Sequence, residues 1–150
     1  MLRLGDITEE NWLRAASLTV RDDQKGFVAP SLGILARGYV YRDCGGRVLT
    51  VLNEGELIGL ALVREFTDDP PGYDLQQFMI DERSQGKGFG SRALALVLDL
   101  LRAEGKYPCV EVCVKAADAA ALHVYEKAGF VPSGYVDPDC PDCVNLIFRF

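Results

Sequence analysis

A turn carrying three glycines, Gly86, Gly88 and Gly90, separates a strand candidate (Tyr73–Asp81) from the clearest helix in the chain (Phe89–Ala103). This junction constrains the fold more than any other feature. Leu94, Val97, Leu98 and Leu101 fall on one face of the helix, and Gly105 stops it. Glycine accepts positive φ and lets backbone approach a ligand closely. The unpaired N–H groups at a helix start, with the helix dipole, attract an anion. Arg83 and Lys87 add positive charge beside them. The physics reads either as a phosphate or pyrophosphate site or as a solvated strand-to-helix turn. The spacing excludes a P-loop, which needs Gly-x-x-x-x-Gly-Lys-Ser/Thr. It also departs from the Gly-x-Gly-x-x-Gly of a dinucleotide-binding turn.

The 150 residues suit one compact domain over 1–150. Leu2-Arg3-Leu4 reads as a first strand. Thr8 reads as the cap of a helix to about Ser17, with Trp12, Leu13 and Ala16 as its apolar side. Ser31–Gly38 reads as a second helix, with Ser31 as cap and Leu32, Leu35 and Ala36 at helical spacing. Val48–Leu52 and Leu57–Glu65 form a hairpin around Asn53-Glu54-Gly55-Glu56. Beyond the long helix come a strand at Val110–Val114, a helix capped by Asp118 and stopped by Gly129, and a closing hairpin of Phe130–Val136 with Val144–Phe150. The order β-α-α-β-β-β-α-β-α-β-β predicts an α/β (α+β) fold, a mostly antiparallel sheet with helices on both faces.

Sixteen Lys and Arg against 22 Asp and Glu give a net charge of -6. That argues against nucleic acid as a partner and suits a cationic one. No apolar run reaches bilayer length, and Met1–Asp6 lacks the pattern of a signal peptide, so the expectation is a cytoplasmic protein without a membrane partner. Five cysteines in such a context read as free thiols, with Cys109 and Cys113 as buried small hydrophobes. Cys140-Pro141-Asp142-Cys143 has metal-knuckle spacing. Zinc, however, needs two further ligands, and His123 is the sole histidine. The expectation is therefore no metal.

Gln85-Gly86-Lys87-Gly88-Phe89-Gly90 fits Arg/Gln-x-x-Gly-x-Gly/Ala, and Ala121-Leu122-His123-Val124-Tyr125-Glu126-Lys127-Ala128-Gly129-Phe130 fits Ala-x-x-x-Tyr-Glu-Lys-x-Gly-Phe. In these two motifs and in element order the chain resembles the GNAT family, the Gcn5-related N-acetyltransferases. Leu18–Ser31 further resembles the spermine/spermidine acetyltransferase-like branch. The resemblance implies a sheet of about seven strands flanked by about four helices, splayed between the fourth and fifth strands. It implies acetyl-coenzyme A as cofactor, with the pyrophosphate on the backbone of Gln85, Gly86, Lys87, Gly88, Phe89, Gly90 and Ser91. Phe78, Met79 and Ile80 would pair with the pantetheine arm. Asp118 stands where the family usually has Asn contacting the coenzyme. The family often dimerises, so a homodimer is compatible.

The implied reaction is acetyl transfer to a primary amine, with a small-molecule amine such as a polyamine or diamine as partner, by direct attack in a ternary complex. Acetylation of an antibiotic or protein amine, and coenzyme binding without turnover, are the alternatives. Tyr125 matches the family tyrosine that protonates the departing thiolate; as a residue it also reads as a core aromatic. The base is open among Asp74, Glu65 and Glu111. Asp74, Gln76 and Phe78 share a face by strict alternation, and Gln76 stands where polyamine acetylators tend to carry an acid. Asp22 and Asp23, with Gln76, are the candidate amine contacts. Glu65, Asp68 and Asp69 would add negative charge.

Overall fold

The computed structural model describes residues 1–68 and 70–150. The chain runs β1 (Leu2–Asp6), α1 (Trp12–Ala16), a 3₁₀ turn (Asp22–Gln24), α2 (Ser31–Val40), a second 3₁₀ turn (Arg42–Cys44), β2 (Arg47–Asn53) and β3 (Glu56–Phe66). It continues through β4 (Gly72–Ile80), a third 3₁₀ turn (Glu82–Ser84), α3 (Phe89–Glu104), β5 (Cys109–Lys115), α4 (Ala119–Ala128), β6 (Val131–Pro132) and β7 (Cys143–Arg149). Seven strands form one sheet in the order β1-β2-β3-β4-β5-β7-β6. Every neighbouring pair is antiparallel except β4 and β5. None of the helices described is long and apolar enough to cross a membrane.

Alternation along the strands sends apolar side chains to both faces, and a helix pair covers each. On one face Ala61, Val63, Leu75, Val110 and Val112 pack against Leu94, Val97, Leu98 and Leu101 of α3 and Tyr125 of α4. On the other, Leu60, Leu62 and Met79 meet Ala15 of α1 and Ile34 of α2. The helical face expected for α3 is the buried one. Glu54 and Gly55, both at positive φ, make the tight turn between β2 and β3, as a two-residue hairpin requires.

Near the N-terminus the helices differ from expectation. α1 begins at Trp12 because Asn11 Oδ1 accepts the Thr8 N–H and Thr8 C=O takes the Trp12 N–H, closing a turn before the helix. Ala15, not Trp12 or Leu13, faces the core; Trp12 and Leu13 are exposed. In α2 the inward residue is Ile34, while Leu32 and Ala36 lie outside. Ser31 does not cap its helix: its hydroxyl donates to the Leu18 carbonyl, docking α2 on the segment after α1. The strand expected over 130–136 shrinks to Val131–Pro132.

Thr50 is fully buried, and its Oγ1 has no hydrogen-bond partner among the described residues. Leaving a polar group unpaired in the interior costs about 1–3 kcal/mol. Thr50→Val keeps the shape and removes the hydroxyl. It should raise the thermal midpoint by roughly 2–4 °C for each kcal/mol regained in a chain of this size, read by calorimetry.

Candidate active site

The parallel pairing of β4 with β5 is short. Tyr73 lies opposite Val110 and Asp74 opposite Glu111, and there the register ends. From Leu75 onward β4 is held by β3 alone, and its other edge faces a cleft. That edge offers unpaired backbone groups to an extended ligand, as an added strand would need. A cavity of about 440 Å³ fills the splay, running from Gln76, Phe78 and Met79 to the glycine loop, with Cys113, Asp118 and Tyr125 on the opposite wall.

At the loop end, Gly86 and Gly88 have φ of 75° and 80°, and no atom lies within 4 Å of where a Cβ would sit. The cradle is open to a ligand, and a side chain there would be strained by the backbone alone. Gly88 begins α3 without a side-chain cap. The first intrahelical donor is the Arg92 N–H, to Gly88 C=O. The N–H groups of Phe89, Gly90 and Ser91 therefore remain available in the positive field of the helix start. These features fit a pyrophosphate.

The loop is braced by residues that the sequence reading did not single out. The Asp81 side chain is 2% exposed. It accepts the Thr19 N–H at 3.0 Å and Arg83 Nε at 2.9 Å. Glu82 N–H returns a bond to Thr19 C=O at 2.8 Å, so the end of β4 and the chain after α1 are clamped together. Burial pushes the Asp81 carboxyl up, but the Thr19 N–H and the Arg83 guanidinium together hold it below the usual carboxylate range. Arg83, expected as a free charge for phosphate, is thus paired. Lys87 Nζ donates to Arg83 C=O and is not part of the cavity wall. Arg21 is on that wall; its guanidinium donates to Gln85 Oε1 at 3.0 Å. Gln85 Nε2 bonds Gln24 Oε1 and Ile80 C=O, each at 2.9 Å. Arg21 and Gln24 belong to a segment whose resemblance was visible but whose contacts are long-range.

Tyr125 is 7% exposed, its ring edge-on to Phe130 at 5.3 Å between centroids. It lines the cavity, and no group among the described residues hydrogen-bonds its hydroxyl. Burial, then the charges of Asp118 and Asp74, push its hydroxyl far above the usual tyrosine value. It stays protonated at any physiological pH. Asp118 lines the same cavity and caps α4, its Oδ1 accepting the Ala121 N–H at 3.2 Å.

The candidate carboxylates separate. In β4, Leu62 pairs with Gln77 and Val63 with Leu75, so Gln76 is an extra, bulged residue. The bulge overturns the alternation expected for Asp74, Gln76 and Phe78. Phe78 packs on the α3 side, whereas Asp74 bonds Arg64 at 2.7 Å and Gln76 accepts from Arg37 of α2 at 3.2 Å, both toward the α2 side. Gln77 Oε1 accepts the Ala29 N–H. Asp74 and Glu111 are register partners at the point where the strands part. Desolvation raises both carboxyls; Arg64 offsets part of it at Asp74, and the Asp74 charge adds to it at Glu111. Glu65 lies elsewhere, bonded to Lys106 at 2.6 Å in a separate hollow with Arg47, Tyr73 and Glu104. Asp22 pairs with Lys25 at 2.7 Å and Asp23 with Arg21 at 3.3 Å, and neither is on the cavity wall. Asp68 is exposed in its loop, and Asp69 lies outside the described residues.

Two cysteine expectations are also corrected. Cys140 and Cys143 are joined by a disulfide. Cys109 is buried as expected, but Cys113 is exposed, because alternation along β5 turns it away from Val112 and Val114.

The model of the Acetyltransferase (GNAT) family matches residues 9–130. A spermine/spermidine N(1)-acetyltransferase of Bacillus subtilis (strain 168) is 26% identical over 148 residues, covering 91% of each chain. Among solved structures, the aminoglycoside acetyltransferase AAC(6')-Ib with coenzyme A superposes with a TM-score of 0.79 at 18% identity, covering 99% of this chain and 95% of that one. The spermidine N-acetyltransferase from Vibrio cholerae, in complex with CoA and spermine, gives 0.76 at 20% identity with the same coverage. These structural likenesses are ones of fold. With the splayed sheet, the glycine cradle and a family match over most of its length, the chain belongs to the acetyltransferase (GNAT) family and is an acetyl-CoA-dependent N-acetyltransferase.

Proposed function

We propose that this enzyme acetylates a primary amine of a small polycation, such as a polyamine, by direct attack. The observation that supports the reading is the arrangement at the splay: Tyr125 on the cavity wall, and two desolvated carboxylates, Asp74 and Glu111, outside the lining residues at the point where the strands part. The backbone of Gln85–Ser91 would hold the coenzyme's pyrophosphate, with Arg21 beside it, and the free edge at Phe78, Met79 and Ile80 would pair with its pantetheine arm. Bound acetyl-coenzyme A supplies an acetyl group activated as a thioester. The hydroxyl of Tyr125 donates a proton at the coenzyme's sulfur position. Its elevated pKa keeps that proton in place until it is needed.

An ammonium near pKa 10.4 must lose a proton before it attacks. Glu111 is the base in this reading, since Asp74 is already engaged by Arg64. Raised carboxyl pKa values make better bases near neutrality. The net charge of -6 favours a polycation over a neutral amine. The spermine/spermidine relative supports the same class.

Glu111→Gln should lower kcat with spermidine by about 100-fold, at the low end of general-base effects. Because the acid is held protonated and the base and amine must be deprotonated, wild-type kcat/KM should rise with pH and show no falling limb below about pH 10. A stopped pH series of coenzyme-thiol release reads both. An alkaline limb near neutrality would remove Tyr125 from the acid's role. Undiminished turnover in Glu111→Gln would remove Glu111 from the base's. Spermidine should exceed an aminoglycoside and a peptide amine in kcat/KM; the reverse order would replace the polyamine reading.

A further inference from the structure

The Cys-Pro-Asp-Cys turn lacks, in sequence, the further ligands a metal would need. The fold brings one to it. Cys113, on β5, is 27 residues before Cys140, yet the sulfurs of Cys113, Cys140 and Cys143 all lie within 4.8 Å of one another. The proximity follows from sheet register. β5 and β7 pair antiparallel with Lys115 opposite Cys143, so the turn entering β7 folds over the outward face of β5, where Cys113 projects. Ala116 N–H donates to Asp142 C=O at 2.9 Å and fixes that turn on the strand.

We propose that, with the Cys140–Cys143 bond reduced, Cys113, Cys140 and Cys143 bind one thiophilic divalent cation of the zinc class. Two sulfurs at Cys-x-x-Cys spacing and a third from a separate strand are the ligand set of a Cys₃ site. Asp142 Oδ1 lies 3.6 Å from Cys140 Sγ but outside the group whose donor atoms all meet within 4.8 Å, so water would complete the set, as in three-ligand zinc sites. Three thiolates alone would leave a dication with net negative charge. Lys115 Nζ, 3.6 Å from Cys140 Sγ and 3.1 Å from Asp142 Oδ1, offsets part of it. Cys113 is exposed and the other two sulfurs half-exposed, so a cation has a path in.

The alternative for the same cluster is thiol–disulfide exchange. Exchange would keep two sulfurs bonded and leave the third free, whereas a metal would hold all three clustered sulfurs at once. The site borders the acetyl-transfer cavity, because Cys113 and Lys115 form part of its wall. Bound metal would pin the β7 turn to that wall.

The test uses the full chain treated with a phosphine. The phosphine becomes its oxide, with water supplying the oxygen and the two thiol protons, and two free thiols result. Titration with Co²⁺ should then give one equivalent bound, with sulfur-to-cobalt charge-transfer absorption, displaced by Zn²⁺. Excess Zn²⁺ should raise the thermal midpoint. Cys113→Ser should weaken binding by about 100-fold or more, while Cys44→Ser leaves it unchanged. Cys143→Ser is the second variant, so a fold defect in one does not decide the matter. No charge-transfer band in the reduced wild type overturns the proposal. So does equal Co²⁺ affinity in Cys113→Ser, which would mean that the turn binds alone. Neither readout depends on acetyl transfer.

Discussion

Tyr125→Phe should lower kcat by about 100-fold or more while leaving the dissociation constant for coenzyme A within about twofold. The change deletes one hydroxyl oxygen. The ring keeps its edge-on contact with Phe130 and its place in the core shared by α3, α4 and the sheet. No hydrogen bond among the described residues is lost with the hydroxyl, so the fold has nothing to report. A residue serving only as core filling would give a variant of equal activity. Loss of activity with matching loss of coenzyme affinity would make Tyr125 a binding residue instead. Isothermal titration beside steady-state kinetics separates the three outcomes.

Asp81→Ala carries the second large effect, on stability and on the loop together. It removes the acceptor of the Thr19 N–H and the partner of Arg83. Losing these hydrogen bonds to a buried carboxylate costs about 2–3 kcal/mol. Asp81→Asn keeps an oxygen for Thr19 and should lose about half as much. Coenzyme affinity should fall with stability, since the same clamp sets the approach to Gly86 and Gly88. The sign with pH follows from the lowered carboxyl. Its contribution is full above the unfolded value of about 3.9 and is lost as pH falls through the lower folded value. Denaturant curves of wild type and variant should therefore differ fully at pH 7 and converge below about pH 4. A constant gap down to acid would show that the charge is not what stabilises.

Local rules read correctly wherever local physics decides. The αL stops at Gly105 and Gly129, the Asp118 cap, the β2–β3 hairpin and the buried face of α3 all depend on residues within a turn of one another. Sequence spacing also located the glycine turn, while the family resemblance, not spacing, singled out Tyr125, which lines the same cavity. What it missed is set by pairing across the chain. One extra residue at Gln76 moves Phe78 to the face opposite Asp74, and alternation alone has no means of announcing a bulge. Glu65 looked available because its partner Lys106, 41 residues away, is chosen by the fold, whereas Asp22 and Asp23 pair locally with Lys25 and Arg21. Arg21, Asp81 and Arg37 matter through contacts 64, 62 and 39 residues away. Cys113 became exposed, and a neighbour of Cys140, through the register of β5 on β7.

The most direct test of acetyl transfer to an amine is a single measurement. Purified enzyme is incubated with acetyl-coenzyme A and spermidine, and both products are quantified, the coenzyme thiol by colour and the acetylated amine by mass. One N-acetylated amine is expected for each thiol released, over many turnovers, with release falling to background when the amine is omitted or when Tyr125→Phe replaces the wild type. Saturable coenzyme binding with no acetylated product from spermidine, an aminoglycoside or a peptide amine would contradict it.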